Sequence, residues 1–240
     1  MIHYPKITVV TVCYNAASLI EKTIRSIINQ NYPHIEYIII DGNSTDSTLD
    51  IIKKYQDEIA TIISEPDNGI YDAMNKGLNL ATGEWISFIN AGDMYYDNHV
   101  LMNIFSKSTD SYNVIYGDTE FIRPRGHFVE KSFEPKWLKK NMPTCHQSFF
   151  VRTAKAKEVG FNLKYQYASD YNMIYNIFRK YGINSISHMP VVVSAYNACE
   201  GSSMEFPNAV YKETLTIRKM SFHKLYGYVR YYIKRILGRK

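Results

Sequence analysis

The chain is poor in cysteine. Cys13, Cys145 and Cys199 are the only three in 240 residues, and they are far apart. An odd, scattered set supplies neither a disulfide framework nor the paired spacing of a structural zinc site, so a reducing compartment is expected. Also absent is any apolar run approaching the roughly 20 residues that cross a bilayer. The opening Met1-Ile2-His3-Tyr4-Pro5-Lys6 lacks the apolar core of a signal peptide and leads straight into a strand-like run. Cytoplasmic residence is the expectation. No internal repeat and no Ser/Gly-rich linker divides the chain, so residues 1–205 read as one unit followed by a tail, 206–240. Acidic residues stop at Glu213, after which eight basic residues run from Arg218 to Lys240. The net charge of +5 therefore belongs to the tail, and the body has no excess of positive charge that would mark a nucleic-acid binder.

What is present is an alternation of β-branched runs and amphipathic segments. Ile7–Val12, Tyr37–Ile40, Thr61–Ser64 and Trp85–Ile89 have strand length and near-continuous apolar character, as strands buried on both faces require. Between them lie helical patterns. The first opens at an S-x-x-E capping box, Ser18 and Glu21, with a stripe of Ile20, Ile24, Ile27 and Ile28 that ends before Pro33. The second is capped from Ser44–Asp46 and carries Leu49, Ile52 and Ile59, and the third runs from Ile70 to Leu80. This order predicts βαβ units in an α/β fold with an open, mostly parallel sheet flanked by helices. Further on, Val114–Tyr116 and His127–Lys131 read as strands around Arg123-Pro124-Arg125-Gly126. Ser148–Val151 and Ser187–Tyr196 are further strands, Asp170–Tyr181 is a helix, and a helical tail follows Pro207.

In such a sheet the carboxyl ends of the strands share one edge, where ligands bind. Four apolar runs end in polar turns: Thr11-Val12-Cys13-Tyr14-Asn15, Asp41-Gly42-Asn43-Ser44-Thr45-Asp46, Glu65-Pro66-Asp67-Asn68-Gly69 and Asn90-Ala91-Gly92-Asp93. Their meeting point suits a nucleotide and a divalent cation. Asp41 either organises its own turn or accepts the N3–H of uracil. Thr11 and Tyr14, on the neighbouring turn, suit the same base or its ribose, and Asp67 is a turn residue or a base contact. Asp93 is the candidate ligand for Mg²⁺ or Mn²⁺, which at a nucleoside diphosphate needs only one or two protein carboxylates. Some of the 21 tyrosines suit stacking on sugar or base, and the rest suit packing at half-buried positions.

The run Ile7–Asn15, then Ile40–Asp46, then Asn75-Lys76-Gly77 with Ala81-Thr82-Gly83, then Asn90–Asp93, resembles glycosyltransferase family 2, the inverting enzymes of polysaccharide synthesis with the Rossmann-like GT-A fold. The resemblance is strong to about residue 95, a nucleotide-binding half, and weaker over an acceptor-side half, 96–205. It implies that Thr11, Tyr14 and Asn15 form the opening nucleotide loop, that Asp41 and Asp67 contact the nucleotide, and that Asp93 is the last carboxylate of a D-x-D metal motif. Asn90 stands where the family commonly has Asp and is read as a contact to ribose or phosphate. Ser169-Asp170 matches an acidic pair at a helix start, which makes Asp170 the expected catalytic base. Cys145-His146-Gln147-Ser148 matches an acceptor-side segment in which His146 touches diphosphate or acceptor. Glu200-Gly201-Ser202-Ser203 resembles a G-G-x-S loop, and Ser203 is placed at the diphosphate. The implied reaction is transfer of a hexose or N-acetylhexosamine from a UDP-sugar to a glycan or lipid-linked sugar acceptor, with inversion.

Two other functions fit a nucleotide and a cation: a sugar nucleotidylyltransferase and a non-catalytic nucleotide-binding protein. The first favours a glycine- and basic-rich phosphate loop after the first strand, which Cys13-Tyr14-Asn15-Ala16-Ala17 does not supply. In the tail, Leu225, Tyr226, Val229, Ile233, Ile236 and Leu237 share a helical face, with Arg230, Lys234 and Arg235 elsewhere. Such a basic amphipathic helix over 222–240 suits an anionic membrane surface, packing on the protein, or a second copy in a homodimer.

Overall fold

The computed structural model describes residues 4–107, 109–124, 126–198 and 206–219. In chain order its elements are β1 (Ile7–Cys13), α1 (Ile20–Ile28), β2 (Ile35–Asp41), α2 (Thr48–Lys53), β3 (Thr61–Ser64), α3 (Ile70–Leu80), β4 (Trp85–Phe88), β5 (Met94–Tyr95), α4 (Val100–Phe105), β6 (Val114–Arg123), β7 (Gly126–Glu130), β8 (Phe149–Arg152), α5 (Thr153–Val159), α6 (Ser169–Tyr181), β9 (Ile186–Asn197) and α7 (Pro207–Ile217). The strands form one sheet in the order β3-β2-β1-β4-β8-β6-β9-β5, with β7 paired to β6.

This is the expected α/β architecture, with the parallel arrangement concentrated where the sequence alternates strand and helix. Strands β3, β2, β1 and β4 pair parallel. β8 then joins antiparallel to both β4 and β6, and β9 runs parallel to β6. The period of two along each strand separates two cores. Val10, Val12, Ile38 and Ile40 face Ala73, Met74 and Leu78 of α3 and Ile174 and Ile177 of α6. Ile7, Val9 and Ile39 face Ile20, Ile24 and Ile27 of α1, Ile52 of α2 and Ile104 of α4. Helices on both sides explain why the strands read as continuous apolar runs. At Gly77 the α3 backbone lies so near β1 that an added Cβ would press into Val10 Cγ1.

Some local expectations fail. The capping box does not form: α1 starts after Leu19 with no side-chain cap, and Glu21 instead accepts from Arg25 Nη2 at 2.9 Å and Tyr55 Oη at 2.6 Å. A nearby guanidinium and phenol outcompete the backbone for that carboxylate. Asp46 does serve α2, accepting from Thr48 N at 3.0 Å, but Ile59 lies beyond the helix. The strands around Gly126 make a longer hairpin than expected, with Thr119 to Arg123 paired against Glu130 to Gly126. Among the described residues no helix is long and apolar enough to cross a membrane. The 222–240 segment and Ser203 lie outside the described residues.

Candidate active site

Strand register brings the turns together. Cys13 pairs with Asp41, and Asp41 with Ser64, so β1, β2 and β3 end at one level. Gly42 N then donates to Cys13 O at 2.8 Å, and Ala91 N to Val12 O at 3.1 Å, joining the second and fourth turns to the first. Asn15 stitches further. It adopts a left-handed φ of 47°, its N–H donates to Ser44 Oγ at 2.8 Å, and its Oδ1 accepts from Thr45 N at 2.8 Å.

Within this edge Asp41 turns inward. It is fully buried; Ser44 N donates to Oδ2 at 2.9 Å, Ser64 Oγ donates to Oδ2 at 2.7 Å, and the Ser44 hydroxyl and the Cys13 thiol approach Oδ1. Burial and this carboxylate together push the Cys13 thiol far above its ordinary range. Thr11 is likewise internal, its hydroxyl accepting from Tyr37 Oη at 3.0 Å. It shares the α1-facing side of β1 and does not reach the open edge. Tyr14 and Asp67 do. Tyr14 is 63% exposed, and a Cβ on Gly42 would lie 2.6 Å from Asp67 Oδ2 and 3.4 Å from Tyr14 Cδ2. An exposed ring, a carboxylate and a bare glycine backbone thus border one spot that a side chain at 42 would fill.

A second cluster forms around the fourth turn. Gly92, at φ 99°, lets the chain reverse, and Asp93 N donates to Asn90 O at 3.0 Å. The Asp93 side chain is buried, its Oδ2 accepting from Gln147 Nε2 at 2.6 Å and its Oδ1 from Asn197 N at 3.1 Å. Burial pushes its pKa up to about 6, against those two hydrogen bonds and the nearby His146. Asn90 Nδ2 lies 3.0 Å from His146 Nε2, and His146 Nδ1 lies 3.5 Å from Asp170 Oδ2. Asp170 Oδ1 accepts from Tyr171 N at 2.7 Å and Tyr71 Oη at 3.3 Å. Behind His146 and Asp170 a cavity of about 20 Å³, walled by Met74, Phe88, Phe149 and Phe161, gives the pair an apolar backing. The approach to α6 is held from α7, where Glu213 accepts from the N–H groups of Gln166, Tyr167 and Ala168 at 2.8–2.9 Å.

The donor set suits a hard divalent cation. Asp93 offers a carboxylate, and Asn90 Oδ1 is a buried oxygen without a hydrogen-bond partner. No group of three or more His, Cys, Asp or Glu side chains is assembled for a metal among the described residues. Phosphate oxygens and water would therefore complete the coordination, as Mg²⁺ commonly allows.

Asn90, Asp93, His146 and Asp170 are thus brought together, and Tyr14, Asn15 and Asp67 lie along the same sheet edge. Sequence reasoning gave no role to Gln147, Tyr71, Asn197 or Glu213. Gln147 is adjacent to His146, but its partner is 54 residues away, beyond any local pattern.

Comparison with known proteins agrees with this fold. The family model described as Glycosyl transferase family 2 matches residues 8–160. The PGL/p-HBAD biosynthesis glycosyltransferase of Mycobacterium tuberculosis is 30% identical over 205 residues, covering 83% of this chain and 79% of that protein. The putative teichuronic acid biosynthesis glycosyltransferase TuaG of Bacillus subtilis is 37% identical over 94 residues, 38% of this chain and 37% of TuaG. Among solved structures, S. aureus TarS 1-349 in complex with UDP superimposes with a TM-score of 0.69 at 20% identity. That match covers 89% of this chain, which spans only 64% of the TarS structure. Glucosyl-3-phosphoglycerate synthase from Mycobacterium tuberculosis, in complex with Mn²⁺, UDP and phosphoglyceric acid, gives a TM-score of 0.65 at 16% identity, over 90% of this chain and 80% of that one. With its sheet order, its joined strand-end turns and a family match over most of its length, the chain belongs to glycosyl transferase family 2.

Proposed function

We propose that the protein transfers a hexose or N-acetylhexosamine from a UDP-sugar to a glycan or lipid-linked sugar acceptor, with inversion, in cell-surface polysaccharide synthesis. The observation that carries this reading is the bridge Asn90–His146–Asp170. It sets a carboxylate of α6 beside the turn that presents Asp93. The relatives' names, in PGL/p-HBAD and teichuronic acid biosynthesis, support a role in glycan synthesis, and the UDP and Mn²⁺ in two structural neighbours support the donor class and the cation.

In this mechanism the uracil stacks on Tyr14, with Asp67 at the edge of the base. Asp93 and Asn90 would hold Mg²⁺ or Mn²⁺, which would supply Lewis-acid stabilisation of the departing diphosphate. The acceptor hydroxyl attacks the anomeric carbon from the face opposite UDP, and Asp170 takes its proton as general base. That role is worth about 10²–10⁴ in rate. Asp170 Oδ1 is tied to Tyr171 N and Tyr71, which leaves Oδ2 to receive the proton. Fixed placement of both substrates supplies much of the remainder. The basic 222–240 segment would hold the enzyme at an anionic membrane carrying the acceptor, and liposome co-sedimentation of the full chain tests that contact.

The deciding experiment is UDP release from a panel of UDP-sugars with a lipid-pyrophosphate sugar acceptor, with the anomeric configuration of the product read by NMR. Binding of UDP with no turnover on any donor would favour a non-catalytic protein. Retained configuration would remove the single displacement.

A further inference from the structure

His146 and Gln147 are neighbours on a one-turn 3₁₀ helix, His146–Ser148, yet their side chains reach different acids. Gln147 Nε2 donates to Asp93, and His146 Nδ1 faces Asp170. The other imidazole nitrogen meets Asn90 Nδ2, an amide nitrogen that can only donate. That contact suits the tautomer in which Nε2 accepts and the ring proton is carried on Nδ1, toward Asp170. The turn itself is anchored in the interior. Ser148 Oγ bonds Thr119 Oγ1 and Ser194 Oγ, each at 2.7 Å, and donates to Asp118 O at 3.1 Å. A pinned dipeptide with one side chain on each carboxylate sets the separation between them.

We propose that His146-Gln147 is a clasp fixing Asp170 relative to the Asn90–Asp93 turn, and that His146 is a positioning residue acting through Asp170 instead of a contact to the diphosphate. This rests on the reading of Asp170 as the base. Asp170 Oδ1 is held by Tyr171 N and Tyr71 Oη, and His146 Nδ1, 3.5 Å from Oδ2, is the group that faces the other oxygen. Without it the carboxylate keeps only the two hydrogen bonds to Oδ1, and Oδ2 loses its own restraint. A displacement of the reacting group by about 1 Å costs about 10² in rate.

The test compares His146→Ala, His146→Gln and His146→Asn for kcat, donor KM and UDP affinity by calorimetry. The amide nitrogen introduced by Asn reaches where Nδ1 does, whereas that of Gln reaches where Nε2 does. The expected result is a fall in kcat of about 10² for Ala and Gln, recovery of most of it by Asn, and unchanged UDP affinity throughout. In an Asp170→Asn background, His146→Ala should cost nothing further. A raised donor KM or weakened UDP binding with kcat kept would overturn the clasp and return His146 to the diphosphate. Added loss in the Asp170→Asn background would overturn it as well. If Asp170→Asn alone turns over like the parent, the base reading falls and the clasp with it. If Asp170→Asn is inactive while His146→Ala is fully active, only the clasp falls.

Discussion

Replacing Asp93 by Asn should make the protein more stable and less able to hold its donor. The Asp93 carboxyl is raised from 3.8 to about 6 because burial disfavours its charged form. The folded state thus binds this proton more tightly than the unfolded chain does. Stability from this group is fully present below about pH 4 and is lost as pH rises through about 6. At pH 8 the loss is roughly 3 kcal/mol, at 1.36 kcal/mol per pH unit of displacement. An amide carries no such penalty. Its oxygen can keep one of the two present hydrogen bonds, and its new N–H finds an acceptor in Gln147 Oε1, which is buried without a partner. For a chain of this size the gain corresponds to roughly 6–12 °C in Tm. Thermal unfolding of parent and Asp93→Asn at pH 4.5 and pH 8, with and without MnCl₂ and UDP, measures it. The variant should melt higher at pH 8, the difference should shrink at pH 4.5, and adding Mn²⁺ to UDP should raise the parent further while leaving the variant at its UDP-only value. A variant that melts at or below the parent at pH 8, or a difference equal at both pH values, would refute the burial argument. This is the trade of stability for function expected where a charge is kept buried for binding.

Other consequences follow from the same contacts. Tyr14→Ala removes an exposed ring, so Tm should hold while UDP affinity drops by about 1–3 kcal/mol of lost stacking, as calorimetry will read. Asp41→Ala strands the Ser44 and Ser64 donors inside the protein; at about 1–3 kcal/mol for each buried group left unsatisfied, the nucleotide-free protein should lose several degrees of Tm. An unaltered Tm with lost UDP affinity would instead make Asp41 a reader of the base. Gly77→Ala presses a methyl into Val10 Cγ1 and should cost about 1–3 kcal/mol by overpacking, measured by urea unfolding.

The strands and helices of the first half could be read from the chain because their signals are local. Thr61–Ser64 and Ile70–Leu80 have the predicted ends, and the isoleucine stripe of α1 faces the core. The strand-end turns were legible for the same reason: a polar cluster after a buried run marks where a strand stops. The order of the motifs also carried the resemblance to the family, since each motif sits within a single turn. Direction and partnership were not local. That β8 enters antiparallel between β4 and β6 depends on chain reversals far from Phe149. Whether a carboxylate faces solvent or its neighbours depends on which donors the register sets beside it. Asp41 looks as accessible as Asp67 in the sequence, yet the pairing of Cys13, Asp41 and Ser64 at one level turns it inward. The link from Asn90 through His146 to Asp170, and the hold of Gln147 on Asp93, join segments 24 to 56 residues apart. Hydrogen bonds of that kind have a reach of about 3 Å and no sequence period, so only the packed sheet could bring their partners together.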